Sequence, residues 1–341
     1  MEKFSQFRDR GSGISPFIPH SSPSSTPAKL LHLTLFVFRL PFLLSYVAFY
    51  FLLAQHIPFL PQALNKLLVW ALLAIPQIWW GDLQLDGVKR GSLSQQPPGR
   101  MPSAPPASLI AASFTSPVDA VYLAAVFDPI FTISYPRSRK VSKVGLWGAI
   151  WHALSPQQLR TGPPSAGDNT PSSGLTTIDA ILAENPGRVV AVFPECATTN
   201  GQGILPFSPS LLTAPAEAKI FPVSIRYASP AITTPVPGAW ASFLWRLLSR
   251  PTHVMRIRIA EAVYNTSGAV NGVGEASGVD VPARSEASRA GAGGDEPTKI
   301  TAEERRVLDR VAENLARLGR NKRVGLTIED KAKFVEAWKR K

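Results

Sequence analysis

Residues 188–201 read RVVAVFPECATTNG. The first six form a short apolar run, opened by the turn signal Asn185-Pro186-Gly187 and closed by Pro194. A run of that length with no polar alternation is a strand buried on both faces, which requires helices above and below it. The same rhythm recurs on either side. LIAAS (109–113) is a second buried-type strand, followed by Ser116-Pro117-Val118-Asp119, a helix start with Ser as N-cap, Pro at N1 and an acid at N3. FTISY (131–135), AKIFPVSIRY (218–227) and VMRIRIA (254–260) read as strands, and KVGLWGAIWHAL (143–154) and residues 174–184 as helices. Strands alternating with helices predict an α/β domain whose sheet is mostly parallel, with flanking helices.

Composition narrows the class. Of 341 residues, 45% are hydrophobic and only 18% charged, against about 25% charged in ordinary soluble domains. Such a chain is not wholly disordered. Thirty-two Pro and 24 Gly demand linkers. A single cysteine, Cys196, excludes an intramolecular disulfide and a thiolate zinc cluster, and no metal is expected. The net charge of +12 favours a polyanionic surface. Nucleic acid is not the expected partner, because the basic residues are dispersed and the aromatics concentrate in apolar runs.

Those runs lie near the N-terminus. Residues 30–54 read LLHLTLFVFRLPFLLSYVAFYFLLA, interrupted by His32, Arg39 and Pro41. As a helix they extend roughly 37 Å, more than the roughly 30 Å of a bilayer core. LLVWALLAIPQIWW (67–80) reaches only about 21 Å and contains Pro76. Together they predict a membrane-embedded helical hairpin over 30–80, preceding the α/β domain. A secretory signal fits badly, since the first run starts late and is too long. Lys3, Arg8, Arg10 and Lys29 precede the hairpin, Lys89, Arg90 and Arg100 follow it, and residues 54–65 carry no Lys or Arg. Both ends are therefore expected on the cytosolic side.

The remaining divisions follow composition. Residues 1–29 read as an extended Ser/Pro-rich segment, and 82–107 as a strand and a Pro-rich linker. Residues 108–262 form the α/β domain, 263–298 a disordered linker, and 299–341 a basic helical tail containing Phe334 and Trp338. Asn265-Thr266-Ser267 fits a glycosylation pattern but falls on the cytosolic part, where it is not used.

Two stretches beyond strand ends carry the chemistry, where open α/β sheets bind ligands. Phe193-Pro194-Glu195 runs into Thr198, Thr199, Asn200 and Gly201, a turn expected to offer backbone N–H groups and hydroxyls to an anion. Glu195 there can hold a hydroxyl or a cationic side chain. The other stretch is Ser113-Phe114-Thr115-Ser116-Pro117-Val118-Asp119, whose Asp119 can also be a simple capping acid. These blocks resemble those of the glycerolipid acyltransferases, which include the 1-acylglycerol-3-phosphate acyltransferases. Phe193, Pro194 and Glu195 match the family's second block, Thr199–Gly201 and Leu205-Pro206-Phe207 its extension, Pro222-Val223 a late block, and Ser116, Pro117 and Asp119 the tail of the first. The opening MEKFSQFRDRGSGISPFIP and the basic ending resemble the fungal branch that uses oleoyl-CoA and lysophosphatidic acid.

The resemblance implies an enzyme that moves a fatty acyl group from acyl-CoA to lysophosphatidic acid, with acyl-CoA as substrate and no cofactor. Its partners would be acyl-CoA, a lysophospholipid and the bilayer, at the endoplasmic reticulum and lipid droplet. It makes Asp119 and Glu195 the catalytic carboxylates and Ser116, Thr198, Thr199, Asn200 and Gly201 the substrate-binding residues. Three positions depart from the family: Phe114 occupies the histidine position, Cys196 the Gly position and Ala197 the Thr position. The family histidine removes the acceptor's proton, and Phe cannot. The fungal branch likewise lacks it, so Phe114 reads as a branch trait, expected at the mouth of the site facing the acceptor hydroxyl. His152 and His253 remain as substitute bases, each with a structural reading beside it, and Cys196 as a packed residue or a reactive thiol. The alternative function is a catalytically weak relative acting as a lipid-binding membrane scaffold in trafficking or droplet formation.

Overall fold

A computed structural model describes residues 2–20, 26–57, 61–88, 99–163, 174–267 and 300–340. Lys89, Arg90, the linker residues 91–98 and positions 268–298 of the low-complexity stretch lie outside the described residues. Helix α1 (Thr26–Leu52) and helix α2 (Gln62–Ala74) precede strand β1 (Trp80–Leu85). Then come β2 (Ser108–Ala112), α3 (Pro117–Phe127), β3 (Ile130–Ser134), β4 (Val141–Val144), α4 (Leu146–Leu154), β5 (Leu175–Thr176), α5 (Ile178–Glu184), β6 (Val190–Val192) and β7 (Gly203–Ile204). The chain ends with β8 (Lys219–Tyr227), α6 (Trp240–Leu248), β9 (Val254–Ile259), β10 (Val263–Tyr264), α7 (Ala302–Gly319), β11 (Lys322–Arg323) and α8 (Ile328–Lys339).

The main sheet runs β1-β9-β8-β2-β6-β3-β4-β5, with β10 on β8. Its centre, β8-β2-β6-β3, is parallel, and antiparallel pairs lie outside it. The fold class is the mixed α/β one that the alternation of strands and helices predicts. Side chains of β2 alternate between two cores. Ile110 and Ala112 join α2, α3 and α4 on one face, while Leu109 and Ala111 join α5 and α7 on the other. The chain leaves β2 toward β3 and leaves β6 toward β8, in opposite directions across the sheet. That divergence opens a switch point between β2 and β6, where open α/β sheets place their ligands.

Several boundaries differ from the sequence reading. Residues 143–154 do not form one helix: Val141–Val144 pair antiparallel with β3, and Gly145 caps a helix that starts at Leu146. The stretch 174–184 likewise splits into β5 and α5. Helix α6 lies outside the elements read from the sequence, although Trp240, Phe243, Leu244, Leu247 and Leu248 recur at helical spacing. The second apolar run ends as helix at Ala74, short of Pro76, and resumes as the strand β1 pairing with β9.

Helices α1 and α2 do form a hairpin. Tyr46 Oη donates to the Leu68 carbonyl (2.9 Å) and Tyr50 Oη lies 3.0 Å from Asn65 Oδ1. Val69, Leu72 and Leu73 of α2 are buried in the core that holds α3. Helix α1 is different: the segment Pro27–His56 is the one described helix long and apolar enough to cross a membrane, and only 17% of its apolar window is buried. It still touches the domain, with an aromatic contact toward each end. Phe36 meets Trp245 of α6 (4.9 Å) and Phe51 meets Trp147 of α4 (5.0 Å). Between these contacts Arg39 is buried, and its guanidinium donates to the carbonyls of Leu248, Arg250 and Pro251. Those carbonyls lie at the C-terminal, negative end of α6, which offsets the cost of burying the charge.

The chain's two ends are not loose appendages. Residues 2–7 form a 3-10 turn, and Phe7 and Phe17 are buried with Cys196, Leu205, Ile328 and Phe334 in a third small core. Phe334 lies 5.3 Å from Phe7, 5.9 Å from Phe17 and 5.6 Å from Trp338. The aromatic spacing of the tail thus serves packing across both termini, which corrects the expectation of an extended N-terminal segment. Phe334→Ala is expected to cost roughly 3 kcal/mol and to expose residues 2–20 to protease; thermal unfolding and limited proteolysis check it.

Candidate active site

The loops after β2 and β6 meet through one carboxylate. Glu195 Oε1 accepts the Phe114 N–H (3.2 Å), and Oε2 accepts the Leu205 N–H (3.2 Å). The Thr199 N–H donates to the Phe114 carbonyl (3.0 Å), closing the junction. Glu195 is 1% exposed. Burial pushes its carboxyl up, to about 8, while the two backbone donors and the nearby Lys331 pull it down.

Asp119 completes a capping box. Its Oδ2 accepts from Thr115 N (2.7 Å), Thr115 Oγ1 (3.0 Å) and Ser116 N (2.9 Å), and Ser116 Oγ accepts from Val118 N (3.3 Å). Its other oxygen, Oδ1, accepts the hydroxyl of Tyr227 at 2.5 Å. Complete burial moves the carboxyl up to about 6. Tyr227, at the end of β8, was not singled out from the sequence; only its place as the last residue of a strand beyond the Pro-Val block could have marked it.

Phe114 is not at the mouth of a site. It is 1% exposed, its ring 4.6 Å from Phe193 and stacked at 6.0 Å on His152. The reason is apolar: a phenyl ring gains more from the slot between Phe193 and His152 than from facing water. His152 Nε2 lies 3.4 Å from the Cys196 carbonyl, so that nitrogen carries the proton. Burial lowers the imidazole to about 4 and keeps it neutral. His253 is a structural residue, with Nε2 2.7 Å from the Leu247 carbonyl beneath α6.

The turn after Glu195 differs most from expectation. It does not present its N–H groups to an anion, because the chain itself uses them. Cys196 N donates to Phe193 O, Ala197 N to Glu195 O, and Asn200 N to Pro16 O. Thr198 N donates to Gln158 Oε1, Gly201 N to Thr199 Oγ1, and Gln202 N to Asn200 Oδ1. Asn200 Nδ2 reaches the carbonyls of Ser15 and Ile18, and Thr198 Oγ1 lies 2.5 Å from the Thr234 carbonyl. Ser116 Oγ reaches the Ile232 carbonyl. Ser116, Thr198, Thr199 and Asn200 are all buried. They tie the N-terminal segment and the 232–234 strap over the loop.

Cys196 sits at φ +58°, the left-handed region that glycine adopts without cost. That accounts for a glycine in the family pattern and for strain here, of order 1–3 kcal/mol. Its thiol is buried and pushed up to about 12 by that burial, which fits a packed residue. Asn265 is occupied too: its amide donates to the carbonyls of Leu212 and Ala214. Among the described residues no cluster of His, Cys, Asp and Glu could hold a metal.

No model of a known protein family matches the chain. It is 28% identical over 275 residues, 76% of its length and 84% of the relative's, to a Schizosaccharomyces pombe protein named "Putative lysophosphatidic acid:oleoyl-CoA acyltransferase". That relative supports the resemblance to the acyltransferases.

Glu195→Gln replaces one acceptor oxygen by an NH2 group facing a backbone N–H. It is expected to destabilise by about 1–3 kcal/mol and to lower folded protein together with any activity. Unfolding midpoints of the two proteins at neutral pH test this, and an unchanged midpoint contradicts the bracing role.

Proposed function

We propose that the protein is a membrane-bound acyltransferase that moves a fatty acyl group from acyl-CoA to the free hydroxyl of lysophosphatidic acid, giving phosphatidic acid. The observation that carries this reading is the junction of the two family blocks, joined by Glu195 to the Phe114 N–H, in a chain similar to a protein of that name. In the reaction the acceptor oxygen attacks the thioester carbonyl. A C–O bond forms, the C–S bond breaks, and the departing CoA thiolate takes up a proton.

The family's general base is missing, and neither carboxylate replaces it in the closed arrangement. Asp119 is held by Thr115, Ser116 and Tyr227, and Glu195 by Phe114 and Leu205. The rate then rests on holding two substrates side by side and on the reactivity of the thioester. Substrate entry needs the covering segments, residues 15–18 and the 232–234 strap, to move aside while the loop itself stays braced. General-base catalysis adds typically 10²–10⁴-fold, so a slow enzyme is expected.

The setting is a membrane surface. Leu31, Val37, Phe38, Phe42 and Leu44 of α1 are exposed, as are Trp147, Trp151 and Trp240. The contacts at Phe36 and Phe51 lie about 22 Å apart along the helix. A helix fastened to the domain at both points lies along it, within one leaflet of the endoplasmic reticulum or the monolayer of a droplet. Trp residues suit that interfacial depth, and both chain ends then face the cytosol. Protease added to intact microsomes is expected to remove epitopes from both ends, and protection of either end contradicts this topology.

A lipid-binding scaffold is the second reading, favoured by the burial of Phe114 and of the whole loop. Incubation with labelled oleoyl-CoA and a panel of lysophospholipids separates the two. Measurable transfer to lysophosphatidic acid is expected from the wild type. Because its side chain points into an apolar slot, Phe114→His is expected to leave the rate at or below wild type. No transfer to any lysolipid leaves the scaffold.

A further inference from the structure

Lys331 takes no part in the reaction as described, yet it is completely buried. Helix α8 inserts it beneath the loop after β6. Its Nζ lies 2.7 Å from Gln158 Oε1, 2.7 Å from the Thr198 carbonyl and 3.2 Å from Thr198 Oγ1, three acceptors for its three protons. Gln158, on the turn after α4, uses the same oxygen to accept the Thr198 N–H at 2.8 Å. One ammonium, one amide and one hydroxyl thus lock the third residue after Glu195. Burial pulls its pKa well below the ordinary lysine value, and the three acceptors oppose that by favouring the ammonium form; an apolar side chain of similar length is often neutral or better at such a site. Packing of α8 is already secured by Ile328, Phe334 and Val335. The charge therefore calls for a purpose other than packing.

We propose that Lys331 is a positioning residue of the acyl-transfer centre: through Gln158 and Thr198 it fixes the loop that carries Glu195. The inference rests on the acyl-transfer reading above. The groups facing this region are Glu195, Asp119 beyond it, the neutral His152 of α4, and the Cys196 thiol. Ionised Glu195 accepts both backbone N–H bonds at full strength. Burial and Asp119 oppose its ionisation, and Lys331 favours it. Activity should thus rise with pH as Glu195 ionises, and losing the ammonium should move that rise to higher pH.

The test uses the full chain in microsomal membranes, with oleoyl-CoA and 1-oleoyl lysophosphatidic acid. Lys331→Met is expected to lower kcat about ten- to a hundredfold, with both KM values within about twofold. Its rising pH limb should lie above that of the wild type. Lys331→Arg should bring the limb back. Gln158→Met keeps the ammonium, so it should lower kcat without moving the limb. An active wild type whose Lys331→Met variant keeps kcat and limb overturns the proposal. So does a Lys331→Met protein that fails to fold while Lys331→Arg and Gln158→Met fold and match the wild type in both readouts. A wild type silent toward every lysolipid overturns the acyl-transfer reading itself, and the role of Lys331 with it.

Discussion

A single carboxylate with both oxygens committed to backbone amides organises the centre of this protein. Glu195 links the loop after β2, through the Phe114 N–H, to the segment leading out of the 196–204 turn, through the Leu205 N–H. Without that bridge two polar backbone groups would be buried with no acceptor, each costing about 1–3 kcal/mol. The bridge also sets where everything else goes. It places Phe114 in its slot against Phe193, brings Thr199 N to the Phe114 carbonyl, and leaves Thr198 and Asn200 to bind the chain's own ends.

The turn around residues 196–202 is thereby a hub. Segments distant in sequence converge on it: residues 15–18, the Gln158 turn, the 232–234 strap and Lys331 of α8. Each connection uses a group that would otherwise be available to a ligand. Asp119 belongs to the same economy of hydrogen bonds. With phenylalanine at position 114, its Oδ1 is taken by the Tyr227 hydroxyl, which keeps a buried carboxylate satisfied.

The N-terminal helix follows a different logic. Its outer face is apolar and exposed, whereas Arg39, near its middle, is buried against the carbonyl end of α6. A charge placed there would be expensive on a helix surrounded by lipid. Docking gives it three carbonyl acceptors and fixes the helix along the domain. The apolar stripe and the buried arginine together give the helix one exposed apolar face and one face packed on the domain.

The α/β class was legible because VVAVF and LIAAS are short apolar runs between turn signals, alternating along the chain with helix starts, a pattern that fits strands buried on both faces. The Ser116–Asp119 helix start was legible for an equally local reason: a capping box needs only residues within one turn. The apolar character of α1 and the block Phe193-Pro194-Glu195 could be read in the same way. Whether the turn after Glu195 offers its amides to a ligand could not, since their acceptors are Pro16, Gln158 and Phe114. Nor could the slot of Phe114, the hydroxyl of Tyr227 on Asp119, or the burial of Lys331 on a helix that reads as a basic tail. Periodicity and caps depend on neighbours in sequence, and the chain states them directly. Hydrogen-bond partners more than a hundred residues away, and the desolvation that shifts Glu195 and Asp119, exist only once the sheet has brought the loops together.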